Sequence, residues 1–500
     1  MEKHLFLPNL LKQRAFLTPE RRALTFEKES YTFREVFKVA SRWAGALQNQ
    51  FDLKKGSKAG VLIKNTKEGY FLLLALQQAG ITAVMLNNRL TFDELRFQVQ
   101  DTSIKALLYD EEFQTHALEL KKYIQEEHVI SLSEMESKQN GEFLPEEQVE
   151  MDSVCTIMYT SGTTGKPKGV LQSYNNHWWS AVGSALNLGL KDTDVWLCAV
   201  PLFHISGYSI LMRSLIYGME INLHEKFDEE VINLELKNGG VTIISVVSAM
   251  LQRLLKNLGE GGYHPDFRCM LLGGGPAPKS MLEQCKDQRI PVFQTYGMTE
   301  TSSQFVTLSP EDSLTKLGSA GKPLFPCELK IIHSGKEAPA NVQGEIAVRG
   351  PNVTRGYYNR EEANQASYVD GWFLTGDIGY QDDQGFLYVL DRRSDLIISG
   401  GENVYPAEIE SVLAAHPAIT EAGVIALPSE EWGQVPAAFI VKESPLTVSE
   451  VKDFCRNSLA GYKVPHHFYF IESLPRNASN KLLRKDLREL IEKGNFNEDR

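Results

Sequence analysis

The chain has 500 residues, 42% hydrophobic and 23% charged, which is ordinary for a globular protein and long enough for roughly three domain-sized units. A formal net charge of −12 at pH 7 argues against broad nucleic-acid binding, which needs a basic face, and leaves local anion sites open. The six cysteines (155, 198, 269, 285, 327 and 455) have neither C-x-x-C spacing nor disulfide-scaffold density, so they read as reduced thiols in a cytoplasmic protein, with Cys155 and Cys198 as core residues. The first eight residues carry no long apolar stretch, so no signal peptide is expected. The most apolar segment, 70–86, is interrupted by Gln77, Gln78 and Gly80 and is short for a membrane span.

In chain order, apolar residues at helical spacing (Phe33, Val36, Phe37, Ala40, Trp43, Ala44, Leu47) predict a helix over 32–51. Strands at 60–63, 81–86 and 106–109 alternate with helices at 70–78 and 92–100, which points to a mostly parallel α/β sheet. Residues 132–150 are polar and acidic and read as a surface crossing without regular structure.

The apolar run 154–159 predicts a buried strand, and the loop after it is the most informative stretch in the chain. It reads Thr160, Ser161, Gly162, Thr163, Thr164, Gly165, Lys166, Pro167, Lys168. Glycine lets backbone N–H groups turn inward without a Cβ clash, and hydroxyls and N–H groups together make a nest for phosphate oxygens. The spacing is not that of the common phosphate-binding loop, because Pro167 follows Gly165-Lys166.

Further along, 173–188 reads as a helix, and 195–201, 243–247 and 269–272 as strands. Pro201-Leu-Phe-His204-Ile-Ser206-Gly207 follows the first of these strands. Arg213 lies nine residues beyond His204 in an apolar run, where an unpaired charge would be costly, so it is expected to meet an anionic group. Gly273, Gly274 and Gly275 follow another strand and let a flat ligand approach the backbone. In Gln294-Thr295-Tyr296-Gly297-Met298-Thr299-Glu300, the aromatic ring can stack on a base, Thr299 can donate to phosphate, and Glu300 can hold Mg²⁺.

From Gly344 the pattern changes to short runs separated by turns such as Asp383-Gln384-Gly385, the mark of antiparallel hairpins. Thr375-Gly376-Asp377 reads as a turn, and Arg392 offers a planar fork suited to ribose and phosphate oxygens. Five polar residues at 391–395 suggest a domain boundary. The expected division is 1–391, a hinge at 392–394, and 395–500 as a small α+β unit with strands at 422–426 and 437–441, helices at 407–415 and 448–459, and a fraying tail from 485.

The run from Tyr159 to Val170 resembles the signature of the adenylate-forming superfamily, which includes acyl-CoA synthetases, peptide-synthetase adenylation domains and luciferases. That resemblance implies a large N-terminal domain of α/β sheets with a β-barrel-like subdomain, and a small mobile C-terminal lid. It implies ATP phosphates on Thr160–Lys168, adenine beside Gly274, Gly275, Thr295, Tyr296 and Gly297, phosphate on Thr299, Mg²⁺ on Glu300, and nucleotide on Asp377 (through ribose) and Arg392. It puts the acid at His204, Ser206, Arg213 and Gly273, with His204 and Thr299 among the catalytic groups. It further implies a hinge at Ser394, a CoA channel at Gly400 and Gly401, and a catalytic lysine that also touches nucleotide at Lys481, preceded here by Asn480 where glycine is usual.

Within the superfamily, the signature loop, the runs at 201–207 and 271–278, the hinge and the run at 477–481 together resemble the branch of ligases that couple o-succinylbenzoate to CoA in menaquinone synthesis. The expected substrates are therefore that dianionic acid, ATP with Mg²⁺, and CoA, with no membrane insertion and with homo-oligomerisation left open. The alternatives are a ligase for another aryl or fatty acid, an adenylating enzyme that loads a carrier protein, and a nucleotide-binding protein without activity.

Overall fold

A helix that is apolar on every side must be buried on every side. Lys67–Ala79 is such a helix: Thr66 caps its start, Gly80 ends it at φ 65°, and every residue from Gly69 to Ala79 is buried. It packs with the amphipathic helix Phe33–Asn49, whose start carries a Thr32/Glu35 capping box. Their apolar cluster takes side chains from two sheets, with Ala59, Val61, Ala83 and Met85 on one side and Trp196, Cys198, Ile221 and Cys269 on the other. The segment expected to be too short for a membrane is thus the core between two sheets. No helix among the described residues is long and apolar enough to cross a membrane.

These features come from a computed structural model that describes residues 5–124, 128–138, 143–160, 167–274, 277–392, 395–399, 402–429, 432–459, 461–476 and 482–492. The first sheet has the order Lys168–Ser173, Val154–Thr160, Thr82–Met85, Lys58–Leu62, Ala106–Tyr109, Val129–Ser131. All neighbours in it are parallel except the first two strands, which form a hairpin around the 161–166 loop.

The second sheet is parallel through Arg22–Phe26, Glu220–Leu223, Val195–Cys198, Ile243–Val247, Cys269–Gly273 and Val292–Met298. It continues as an antiparallel arm through Ser303–Leu308, Ser319–Pro323, Leu387–Arg392, Trp372–Gln381, Gly344–Arg349 and Glu328–His333. The expected barrel-like subdomain takes this form, with its own apolar cluster around Phe305, Ile346, Val348, Tyr357 and Phe373. The topology gathers three candidate runs: the His204 run, the glycine run and the Tyr296 run all lie at the C-terminal ends of parallel strands in one sheet. Open α/β sheets bind ligands at that edge.

The strand Leu387–Arg392 is the last of the large sheet, and Ile397–Ser399 already belongs to a separate sheet with Glu402–Val404, Gly433–Lys442, Ile419–Ser429 and His467–Phe470. Helices Pro406–Ala414 and Val448–Ser458 pack there around Ile397, Ile409, Val424, Ile440 and Val451. The Tyr405 hydroxyl donates to Gln343 Oε1 at 2.6 Å, and Lys256 pairs with Glu443 at 2.7 Å, joining this unit to the larger one.

Two expectations are corrected. Residues 132–150 include a helix, Leu132–Ser137, that buries Leu132 and Met135, and a strand, Gln148–Glu150, that pairs with Phe6–Pro8. Of the tail expected to fray from 485, the described part does not, because Arg484–Glu492 is a helix with Leu487 fully buried. Partners remote in sequence decide both: the N-terminal strand in one case, and Glu410 and Asp395, which pair with Arg484, in the other.

Candidate active site

Thr160 and Lys168 are Cα partners across the hairpin, so the loop between them starts and ends at one point on the sheet edge. Ser161, Gly162, Thr163, Thr164 and Gly165 lie outside the described residues, as do Gly275, Ser394, Gly400, Gly401 and Lys481. The returning strand is tied to the Tyr296 run: Gln172 Nε2 donates to the Thr299 carbonyl at 2.8 Å. Residues 356–358 pair with the same strand, since Leu171 N donates to Gly356 O at 3.1 Å and Tyr358 N to Gly169 O at 2.8 Å. That pairing sets Tyr357 beside Lys168, whose ammonium lies 5.0 Å above its ring. The Tyr357 hydroxyl donates to Glu300 Oε1 at 3.0 Å.

A bulge between Tyr296 and Gly297 re-aims the end of Val292–Met298. Only glycine fits at 297, because a Cβ there would lie 1.9 Å from the Ser303 carbonyl oxygen. Tyr296 then reaches across the sheet, and its hydroxyl donates to Asp377 Oδ2 at 2.7 Å. Asp377 follows Gly376, at φ 75°; its N–H donates to the Thr375 hydroxyl at 3.1 Å, and that hydroxyl donates to Ile346 O at 2.9 Å. Arg392 is its Cα partner on the next strand. An aromatic ring and an acceptor-only carboxylate held this close suit one nucleoside, the ring for the base and the carboxylate for ribose hydroxyls. The Thr295 hydroxyl is engaged inside the sheet, donating to Val306 O at 2.8 Å. Gly273 ends its strand beside the Thr295 methyl, and Gly274 turns away at φ 85°.

Glu300 is 5% exposed. A single buried carboxylate fits Mg²⁺, which takes one or two protein carboxylates and completes its shell with phosphate and water. No cluster of three or more metal-ligating side chains occurs among the described residues.

The residues expected to meet the acid lie on or beside the helix Ile205–Tyr217. His204 is its N-cap, Ser206 lies in its first turn, and Arg213 follows about 13 Å from His204 along the axis. Burial, with a smaller push from Arg89, takes the His204 pKa down to about 4, so the ring is neutral at pH 7. Its neighbour in space is the Phe203 ring, with centroids 4.6 Å apart. Ser209, one turn before Arg213, donates to Ser303 Oγ at 3.3 Å, which brings the helix against the Tyr296 run. The adjacent helix Tyr174–Leu188 adds Ser180, whose hydroxyl donates to Ser302 O at 2.7 Å. Ser302 and Ser303 sit at φ 53° and 94°. Such positive values are strained for serine.

Arg213 is 1% exposed, its guanidinium lies 5.0 Å over the Trp196 ring, and its Nε and Nη2 have no hydrogen-bond partner. Both ring nitrogens of His177, Ser302 Oγ and Gln304 Oε1 are also buried without partners. Burial and Arg213 together push the His177 pKa down to about 3, so Arg213 carries the charge between them. Buried polar atoms are normally paired. A buried charge with two unpaired donor atoms is chemically suited to an anionic group.

The sequence model of the AMP-binding enzyme family matches residues 11–358, and that of the AMP-binding enzyme C-terminal domain matches residues 408–481. The chain belongs to the AMP-binding enzyme family. It is 52% identical over 488 residues to the 2-succinylbenzoate–CoA ligase of Bacillus cytotoxicus, covering 97% of this chain and 99% of that protein. Among solved structures it is similar to the o-succinylbenzoate CoA synthetase of Bacillus subtilis in complex with the acyl-adenylate intermediate, at 49% identity and a TM-score of 0.92, covering 97% and 98% of the two chains. The same synthetase in complex with ATP and a magnesium ion matches equally well, at a TM-score of 0.92 and 49% identity over 97% of this chain and 100% of that one.

Within this member of the AMP-binding enzymes, sequence reading passed over His177, Ser302, Gln304 and Tyr357. A lone histidine in a helix and a tyrosine in Gly356-Tyr357-Tyr358 carry no spacing signal. Ser302-Ser303, directly after Thr299-Glu300-Thr301, is the one hint the chain offers.

Proposed function

We propose that the chain is an AMP-forming acid–CoA ligase that converts 2-succinylbenzoate, ATP and CoA to succinylbenzoyl-CoA, AMP and pyrophosphate in menaquinone synthesis. The observation that carries the choice of acid is Arg213, a buried guanidinium whose Nε and Nη2 have no hydrogen-bond partner among the described residues. A dianionic acid has one carboxylate to activate and a second to meet that charge. The identity to 2-succinylbenzoate–CoA ligases supports the same reading.

The chemistry begins with the free carboxylate of the acid attacking the α-phosphorus of ATP, with pyrophosphate leaving. Both reactants are anions, so fixed cations and N–H donors must offset their repulsion. One cation at about 4 Å and an effective dielectric near 20 offers on the order of 4 kcal/mol. Lys168, the 160–168 loop and Lys481 fill that role, and Thr299 donates to phosphate. Tyr296 holds the base; Asp377 and Arg392 hold the ribose side. Glu300 would hold Mg²⁺, which supplies positive charge to the phosphate oxygens when bound. His204, neutral and half-buried, and Ser206 shape the channel between the nucleotide and Arg213.

The CoA thiol then attacks the acyl carbonyl and AMP leaves. The reading includes a hinge at 392–394, rotation of the 395–500 unit about Ser394, and a thiol path past Gly400 and Gly401. The test is acid-dependent ATP–pyrophosphate exchange with 2-succinylbenzoate against benzoylpropionate, the same skeleton without the ring carboxylate, followed by CoA addition. Exchange at least about 100-fold more efficient with the dianion is expected. Equal exchange with both acids would remove the role of Arg213, and exchange without thioester formation would point to a carrier-loading enzyme.

A further inference from the structure

Tyr357 touches both charged groups of the phosphate end, and the proposed chemistry gives it no part. Its ring carries the Lys168 ammonium at 5.0 Å, and its hydroxyl donates to Glu300 Oε1 at 3.0 Å. It is 8% exposed, and it is fixed from three directions. Val170 is its bridge partner in the strand that starts at Lys168. Its N–H donates to Asn364 Oδ1 at 2.7 Å, and Asn364 Nδ2 donates back to its carbonyl at 3.0 Å. Gly356 before it sits at φ 139°, where a Cβ would lie 2.5 Å from Asn364 Oδ1, so the turn that presents the ring admits only glycine.

We infer that Tyr357 is a positioning residue for the metal–triphosphate end of ATP: its hydroxyl orients the Glu300 carboxylate toward a divalent cation, and its ring face holds the Lys168 ammonium for the phosphates. This rests on the reading of Glu300 as the Mg²⁺ carboxylate. Two elementary effects support it. A hydrogen-bond donor on one carboxylate oxygen fixes the plane of the group and directs the other oxygen's lone pairs, which is how groups behind a metal ligand set its affinity. An aromatic face attracts an ammonium without neutralising it, so Lys168 keeps its charge and its donors for an anionic ligand. The same segment also grips Glu300 from behind, since Thr354 N donates to the Glu300 carbonyl at 2.7 Å. One short stretch, 354–358, therefore sets both charges against each other in register.

The experiment is calorimetric titration of the full chain with ATP across a Mg²⁺ series, in the absence of any acid. It is run for wild type, Tyr357→Phe, Tyr357→Leu and Glu300→Gln, with a non-hydrolysable acyl-adenylate analogue as a metal-independent ligand. Tyr357→Phe keeps the ring and is expected to raise the Mg²⁺ concentration for half-maximal ATP binding by about 10-fold, while metal-free ATP and analogue affinity stay unchanged. Tyr357→Leu is expected to weaken metal-free ATP binding as well, by several-fold, through loss of the Lys168 contact. An unchanged Mg²⁺ dependence in Tyr357→Phe, with a shifted one in Glu300→Gln, would overturn the inference and leave the metal reading standing. An unchanged dependence in Glu300→Gln would overturn both. Parallel loss of analogue binding in Tyr357→Phe would reduce Tyr357 to a structural residue.

Discussion

The Tyr296 hydroxyl donates to the Asp377 carboxylate at 2.7 Å, across 81 residues of chain. One partner ends a parallel strand and the other lies on the antiparallel arm, so the bond ties together the two sides of the proposed nucleoside site. Asp377→Ala removes the acceptor for ribose and should lower kcat/KM for ATP on the order of 100-fold, about 2.7 kcal/mol. Tyr296→Phe keeps the ring for stacking and frees the carboxylate, so a rise of only several-fold in the KM for ATP is expected. Steady-state kinetics of both variants check this, and equal losses would count against separate roles for ring and carboxylate.

Arg213 predicts an exchange of stability for function. Arg213→Leu removes a buried charge with two donor atoms that have no partner. Thermal unfolding should shift upward by a few degrees, because an unpaired buried charge is costly and a hydrophobic side chain of similar volume is not. The KM for 2-succinylbenzoate should rise on the order of 100-fold, with the KM for ATP unchanged. A lower melting temperature together with an unchanged acid KM would sink the assignment.

The His177 environment predicts an acid-side loss of stability. Its folded pKa, about 3, lies below the unfolded value of 6.5. The fold therefore prefers the neutral ring; that stability is complete above about pH 6.5 and is lost as pH falls toward about 3. At pH 5 the loss is on the order of 2 kcal/mol. His177→Phe should flatten this slope while matching wild type near pH 7.5, since neither ring nitrogen has a partner to lose. Melting temperatures of both proteins from pH 7.5 to pH 5 provide the check, and superimposable curves would contradict it.

Lys481→Ala should abolish acid-dependent ATP–pyrophosphate exchange and largely spare thioester formation from supplied acyl-adenylate. Ser394→Pro, which fixes φ at the proposed hinge, should slow the thioester step selectively. Measuring the two half-reactions separately distinguishes these outcomes, and a uniform slowdown in Ser394→Pro would argue against rotation there.

The sequence by itself determined what is local. Period and length placed the helices Phe33–Asn49, Lys67–Ala79 and Phe92–Thr102 and the strand Ala106–Tyr109, because side-chain burial repeats at 3.6 or 2 residues whatever the partner. Glycine, hydroxyl and charge at fixed spacing marked 160–168 and the runs around Tyr296 and Asp377 as candidates, because those residue types set local backbone and donor chemistry. Only the tertiary structure decided what depends on partners far along the chain. The strand Gln148–Glu150 forms because Phe6–Pro8 pairs with it, and the helix Arg484–Glu492 is held by Glu410 and Asp395. His177, Ser302 and Tyr357 matter through neighbours 30 or more residues away, and no local pattern encodes which side chain will face which across a packed sheet edge.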